Sequence, residues 1–363
     1  MVSEETGMEK RMKVMIVATT PLCRDGLTAV LLKTARLTAQ SHEVCFALGE
    51  PPRGEILAEL REMGEAVILP SRSRRPFGYM IALSREIRRR RADCAVIHGN
   101  SATMALDLLA ARRGGAVRRI THVHNAARPS FWKRQTLGRL LNRWVTVPVA
   151  CSRLAGERLY TRPFRVIVNG VSCDRFRFDP SVRRRAREAW GLAEETFVLG
   201  HVGRFDPQKN HLRLIRIFAE LVRRREDACL LLFGEGETED ACRRLAAELG
   251  LEGKVRFPGL TDEPEAAYAA MDAMAMPSLF EGLPLVGVEA QASGLPCVFS
   301  EEITGEVKIL DESIFLPLTA SDEAWAEAIL TRNPGDRTQA SDRVRAAGFD
   351  ESEMKGQVRG LYE

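Results

Sequence analysis

Residues 280–296 read F-E-G-L-P-L-V-G-V-E-A-Q-A-S-G-L-P, with Glu281 and Glu289 separated by seven residues. Just before them, M-D-A-M-A-M-P (271–277) is a short apolar run that suits a buried strand. Gly282-Leu283-Pro284 punctuates a loop, and residues 285–292 read as a helix stopped by Gly294. The order strand, loop, helix, strand belongs to a parallel α/β sheet. In such a unit the loop lies at the carboxyl end of the strands, where doubly wound sheets bind ligands, and the N–H groups of the first helical turn favour an anion. A nucleoside diphosphate suits that place. Glu281 precedes the helix and Glu289 follows about two turns later, so both can address one extended ligand, carboxylates toward its hydroxyls. For an isolated pair, a capping role for Glu281 and a solvated face for Glu289 stay open.

Working toward the amino terminus, residues 197–202 form an apolar strand that runs into G-R-F-D-P-Q-K-N (203–210) and a helix over 211–225. Arg204 gives a planar fork of donors and Lys209 a compact point charge, two cations that can stabilise a departing diphosphate without a metal. The next strand, 229–233, leads to Gly234-Glu235-Gly236-Glu237, which suits either close backbone approach to a nucleotide or a plain tight turn. Farther upstream lies R-V-I-V-N-G-V (165–171), followed by Asp174 and Phe176, with an Asn-Gly pair that carries turn chemistry.

Together, E-x7-E followed by A-x-A-x-G-x-P, G-R-x4-K-N some 75 residues earlier, N-G-V-x2-D-x-F and V-R-F-P-G (255–259) resemble the family 4 retaining glycosyltransferases of the GT-B fold. The likeness covers nearly the whole chain and is strongest over 166–298. It implies two Rossmann-like doubly wound domains facing across a cleft. The first would span 1–170, with 342–363 returning to it, and serve the acceptor; the second, 171–341, would bind the nucleotide-sugar donor. In this family Arg204 and Lys209 would stabilise the leaving diphosphate, helped by the backbone of Gly282, Leu283, Pro284 and Leu285. Glu281 would hold sugar hydroxyls and Glu289 the ribose. Gly203, Asn210, Gly234 and Pro258 would line the donor site. A UDP-sugar is favoured over a GDP-sugar. No D-x-D pair stands in a candidate donor loop, so no divalent metal is expected, and no cofactor beyond the nucleotide-sugar co-substrate.

The first half is consistent with that organisation. Residues 13–19 form a buried strand that runs into a loop ending at Gly26 and a helix over 28–39; further strands are expected at 43–48, 66–69, 95–98, 119–123 and 147–151. Gly26 is the loop's one glycine, so G-x-G-x-x-G is absent and a nicotinamide cofactor is disfavoured. The resemblance puts Gly26 near the donor. Residues 121–125, T-H-V-H-N, end a strand; the family places a histidine there at the donor sugar, and strand alternation favours His124 over His122. Residues 333–341 read as a linker, and Leu361-Tyr362 closes the returning segment.

Composition narrows the setting. No run of eighteen apolar residues exists, and the first eleven residues lack an apolar segment, so neither a spanning helix nor a signal peptide is expected. The eight cysteines are scattered with no C-x-x-C, as reduced core residues are. The formal net charge of +4 conceals an asymmetry: residues 1–170 hold 29 Lys and Arg against 14 Asp and Glu, or +15, leaving −11 for the rest. Arginines cluster at 72–75, 85–91 and 112–119, and Phe131-Trp132-Lys133-Arg134 sets aromatics among cations, as membrane-interfacial segments do. The expected partners are a nucleotide sugar, a glycan or lipid-linked acceptor and an anionic membrane surface reached from the cytoplasmic side; no motif supports nucleic acid. The rival readings are a nucleotide-sugar epimerase or hydrolase of the same fold, and a nonenzymatic basic binding module.

Overall fold

The structure, a computed structural model, describes residues 11–125, 134–333 and 335–362. Phe131, Trp132 and Lys133 of the expected aromatic and cationic segment lie outside the described residues, as does the side chain of Arg134. Two compact units divide the chain. One holds residues to His124, the chain through Ile167 and the segment from Lys355; the other holds Val168–Met354 with Asn125.

In the first unit seven parallel strands form one sheet: β1 (Lys13–Ala18), β2 (Glu43–Leu48), β3 (Gly64–Ile68), β4 (Cys94–Gly99), β5 (Arg118–Val123), β6 (Val147–Ala150) and β7 (Arg165–Val166). Their order is β3-β2-β1-β4-β5-β6-β7, so the chain reverses direction across the sheet between β1 and β4. In β1, β2 and β4 nearly every residue is buried, the continuous apolar run that a sheet covered on both faces requires. The carboxyl-terminal residues belong here. Tyr362 is nearly buried, its hydroxyl 2.9 Å from Thr38 Oγ1 and its carbonyl accepting from Arg118 at 2.7 Å.

The second unit repeats the plan with β8 (Phe197–Val202), β9 (Ala228–Phe233), β10 (Val255–Gly259), β11 (Ala273–Met276), β12 (Cys297–Ser300) and β13 (Ile314–Leu316), ordered β10-β9-β8-β11-β12-β13. Its reversal lies between β8 and β11. A core of Leu199, Leu214, Phe218, Leu230, Leu232 and Trp325 packs the helix His211–Arg224 and the helix Asp322–Leu330 on this sheet. Each fully buried side chain of this kind is worth about 1.5–3 kcal/mol against exposure.

Three sequence expectations need revision. The expected linker is not solvated throughout: Arg337 is 7 % exposed, donates to the carbonyls of Ser293, Met271 and Tyr268, and lies 4.0 Å from the Phe178 ring centroid. Its neighbours supply enough acceptors to hold a buried guanidinium. Gly170 needs no left-handed turn. It is glycine because an added Cβ would lie 2.6 Å from the Asp350 carbonyl oxygen, where Val171 pairs with the chain returning at Phe349 and Glu351. The arginine clusters, finally, are partly structural. Arg72 is tied to the buried Asp107 at 2.7 Å, Arg90 to Glu65 at 2.6 Å, and Arg119 donates to the carbonyl of Trp144.

Candidate active site

The G-R-x4-K-N loop leaves β8 at the sheet reversal and reaches across to the loop that leaves β11. Asp206 organises it, accepting from the Lys209 backbone N–H at 3.1 Å and from Arg204 Nε at 3.3 Å. Asn210 ends it at φ 58°, a left-handed conformation asparagine tolerates, and donates from Nδ2 to the Pro277 carbonyl at 3.0 Å. Leu279 N–H closes the junction on the Gln208 carbonyl at 2.8 Å.

Those contacts bring Lys209 and Glu281 together. Lys209 Nζ lies 2.7 Å from Glu281 Oε1, and Gln208 Nε2 donates to Glu281 Oε2 at 3.0 Å. Both members of the ion pair are largely buried, with side chains 16 % and 9 % exposed. Glu281 therefore caps no helix. The residue before the helix Leu285–Ala292 is Pro284, and no side chain caps the helix, so its first-turn N–H groups have no side-chain acceptor among the described residues and carry the positive end of the helix dipole. Glu289 is not a solvated face residue either: it is half-buried and accepts from Tyr268 Oη at 2.8 Å. Arg204, about half exposed, sits at the rim.

The glycine loop after β9 packs under this site. Added Cβ atoms would lie 2.1 Å from the Gly203 carbonyl oxygen at Gly234 (φ 138°) and 2.2 Å from that of Phe205 at Gly236 (φ 157°). Both positions thus need glycine so that two loops can touch through their backbones, with Phe205 N–H donating to the Glu235 carbonyl at 3.0 Å. Pro258 is exposed near the end of β10, beside Phe257, whose ring is 6.0 Å from that of Phe205. Beneath the loop, His201 Nδ1–H donates to the Ala275 carbonyl at 2.9 Å, and burial, then the Lys209 charge, pushes its pKa down to about 4. His211 stacks on Phe205 at 4.3 Å and is held well below the usual imidazole range by burial.

In the first unit His124 stands just past β5 and is not alone. The pairing of β4 with β5 sets His98 opposite His122. His98 Nδ1 is 2.9 Å from His124 Nε2, and a nitrogen of each of the three imidazoles lies within 4.8 Å of the others. Burial pushes His98 down to about 3 and holds His122 and His124 well below the ordinary value, so all three are neutral near pH 7. This is the one group of metal-ligand character among the described residues. Gly26 opens the helix Gly26–Ala39 behind Asp25, which caps Thr28 N–H at 2.9 Å; a Cβ there would meet open space, so no steric need fixes glycine.

Sequence reading therefore found the cations and carboxylates and missed their partners. Gln208 reaches Glu281 from loop to loop, Tyr268 reaches Glu289 from helix to helix, and His98 meets His122 and His124 through the register of β4 on β5. His98 had a signal, its place at the end of an apolar strand.

Comparison with known proteins agrees with this architecture. The family model for glycosyl transferases group 1 matches residues 182–340, and that for glycosyltransferase family 4 matches residues 25–175. EpsF of Bacillus subtilis (strain 168), which carries a glycosyltransferase name, is 31% identical over 270 residues, 70% of each chain. The UDP-Gal:alpha-D-GlcNAc-diphosphoundecaprenol alpha-1,3-galactosyltransferase of Escherichia coli is 28% identical over 240 residues, 61% of each chain. The chain spans 60% of the GDP-mannose-dependent alpha-(1-6)-phosphatidylinositol monomannoside mannosyltransferase of Mycolicibacterium smegmatis, at 33% identity over 229 residues and 59% of its own length. Among solved structures, HepE of Anabaena in complex with UDP-glucose superposes with a TM-score of 0.80 at 20% identity, covering 96% of this chain and 99% of that one. WaaG, a glycosyltransferase involved in lipopolysaccharide biosynthesis, gives 0.72 at 18% identity over 96% and 99%. With its two Rossmann-like units and its E-x7-E and G-R-x4-K motifs, the chain belongs to the group 1, family 4 glycosyltransferases of the GT-B fold.

Proposed function

We propose that this enzyme moves a sugar from a UDP-sugar to a hydroxyl of a lipid-linked or polysaccharide-type acceptor, with retention at the anomeric carbon and without a divalent metal. The observation that carries the reading is the buried Lys209–Glu281 pair at the sheet reversal of the second unit, with Glu281 in the loop that leads into the helix Leu285–Ala292. A cation for phosphate and a carboxylate for hydroxyls stand there in contact, which is the chemistry of a sugar joined to a diphosphate.

In the transfer, the bond from the anomeric carbon to the diphosphate oxygen breaks, a bond to the acceptor oxygen forms on the same face, and the acceptor hydroxyl's proton passes to the departing diphosphate. Charge builds on the departing diphosphate. Lys209, Arg204 and the backbone N–H groups at the helix start stabilise it electrostatically, in the role a metal plays elsewhere. Glu281, held by Gln208, orients the sugar hydroxyls and faces the developing oxocarbenium charge. Glu289 grips the ribose, and His124 has the sugar-side role that the family resemblance implies. UDP is favoured over GDP because HepE was solved with UDP-glucose and the Escherichia coli relative is named for UDP-Gal.

The acceptor assignment rests on the first unit's surface. On the helix Pro76–Arg90, Phe77 is 80 % exposed and Ile81 54 %, and Arg85 and Arg88 continue the same stripe at helical spacing. Exposed apolar residues among cations suit an anionic lipid surface. The named relatives include enzymes of diphosphoundecaprenol and phosphatidylinositol glycans.

A thermal-shift panel of UDP- and GDP-sugars, followed by transfer assays with and without acceptor in EDTA, tests the reading. A UDP-sugar should raise the melting temperature most, because binding to the native state stabilises with the logarithm of ligand concentration. Turnover should need acceptor and survive chelation. Turnover without acceptor would favour the epimerase or hydrolase reading. Loss of activity in EDTA, restored by manganese or magnesium, would assign the phosphate charge to a metal.

A further inference from the structure

Tyr268 lies in the helix Pro264–Ala270, and its ring is fully buried. A buried phenol is costly unless its hydroxyl finds an acceptor. Here the acceptor is charged and mechanistically placed: Tyr268 Oη donates to Glu289 Oε2 at 2.8 Å. The phenol itself cannot wander. The Phe176 ring meets it edge-on at 5.8 Å, and the Tyr268 carbonyl accepts from Arg337 Nη2 at 3.0 Å. Arg337 Nε also donates to the Ser293 carbonyl at 2.8 Å, at the end of the helix that bears Glu289. One guanidinium thus ties down both the tyrosine and the carboxylate's helix. Burial first, and then the Glu289 charge, hold the Tyr268 hydroxyl well above the ordinary phenol range, so it remains a donor at every working pH.

A glutamate side chain has three rotatable bonds, and a ligand that must order it binds more weakly than one that finds it ordered. We propose that Tyr268 is a positioning residue for the donor's nucleoside end, holding the Glu289 carboxylate in the orientation that accepts from the ribose diol. This rests on the assignment of Glu289 to the ribose.

The test measures calorimetric affinities of the wild type, Tyr268→Phe, Glu289→Ala and the double variant. Each is titrated with whichever of UDP and GDP binds the wild type more tightly, and with its 2′,3′-dideoxy counterpart. Wild type should prefer the ribonucleotide. Tyr268→Phe should weaken that ligand by about tenfold, the equivalent of 1.4 kcal/mol, while leaving the dideoxy ligand within about twofold. Retained affinity for the dideoxy ligand also shows that the phenylalanine variant is folded. The double variant should bind no more weakly than Glu289→Ala alone, and steady-state kinetics of Tyr268→Phe should raise KM for the donor with little change in kcat.

If Tyr268→Phe weakens both ligands alike, or neither, while Glu289→Ala abolishes the preference, the positioning role fails and the ribose assignment stands. If Glu289→Ala keeps the preference, or the wild type has none, the ribose assignment fails and the inference with it. Binding of neither nucleotide would overturn the donor site as a whole.

Discussion

Lys209 and Glu281 satisfy one another at 2.7 Å, so a donor must share that cation, and the two residues differ from Arg204 in what their loss does. Arg204 is half exposed, and Arg204→Ala should leave stability nearly unchanged while lowering transfer about a hundredfold, roughly the 3 kcal/mol that one fixed donor to a developing anion supplies. Lys209→Ala removes the same kind of stabilisation and also strands a carboxylate that is 9 % exposed, with Gln208 as its remaining side-chain donor. It should therefore cost about 1–3 kcal/mol of stability as well. Chemical denaturation checks this: Lys209→Ala with Glu281→Gln should regain most of the lost stability and none of the activity. Equal stability in the single and double variants would show that the pair is not coupled. Glu281→Gln alone should lower kcat more than it weakens nucleotide binding, and Glu289→Ala the reverse; parallel effects would mean that the carboxylates do not divide the donor between sugar and ribose. These four residues were legible because their spacing along the chain is itself the motif. Gln208 and Tyr268 were not, since nothing in Q-K-N or A-A-Y-A-A announces a carboxylate 73 or 21 residues away.

At the scale of elements, the glycine loop after β9 and the helix Pro76–Arg90 make opposite demands on their surroundings. Gly236 has no space for a side chain, because a Cβ would lie 2.2 Å from the Phe205 carbonyl oxygen and φ is 157°. Gly236→Ala must push the G-R-x4-K loop away, moving Arg204 and Lys209 with it. A displacement on the order of 1 Å at a positioned group can cost about a hundredfold in rate, so the variant should lose transfer by that factor while β8 and β9 remain paired. Normal kinetics with Gly236→Ala would show that the phosphate loop does not depend on this backing. The helix Pro76–Arg90, by contrast, has a face that the described residues of the first unit leave exposed at Phe77 and Ile81. Cosedimentation with anionic vesicles should fall when Phe77 and Ile81 become serine, fall further when Arg85 and Arg88 become glutamine, and weaken in salt, since each nearby cation contributes about 1 kcal/mol within a Debye length. Binding that ignores lipid charge and these substitutions would leave a soluble acceptor as the better assignment.

For the whole molecule, the alternation of apolar strands and helices was legible almost everywhere, because two covered parallel sheets require unbroken buried strands and those are visible as apolar runs. The β13 strand (Ile314–Leu316) was not foreseen; it is three residues long and half-buried, too short for any periodicity. The packing of Arg337 was hidden because an arginine in a polar stretch reads as solvated until its acceptors are seen. Histidine placement has a consequence for the entire fold. Five of the six histidines, His98, His122, His124, His201 and His211, are depressed mainly by burial, His98 to about 3 and His201 to about 4. In the unfolded chain each would titrate near 6.5. A group depressed in the folded state contributes stability that is complete above its unfolded value and is lost as pH falls toward the folded one, because the unfolded chain then binds the extra proton. Between pH 6.5 and 5 the buried neutral histidines therefore lower stability as the unfolded chain takes up protons that the fold excludes, whereas the lowered carboxylates, such as Glu312 beside Arg343, act below pH 4.5. Melting temperature should be flat from pH 8 to 7 and fall steeply from 6.5 to 5, and His98→Gln should make that fall shallower without reversing it. A melting temperature that holds steady down to pH 5 would mean that these imidazoles gain protons in the folded state.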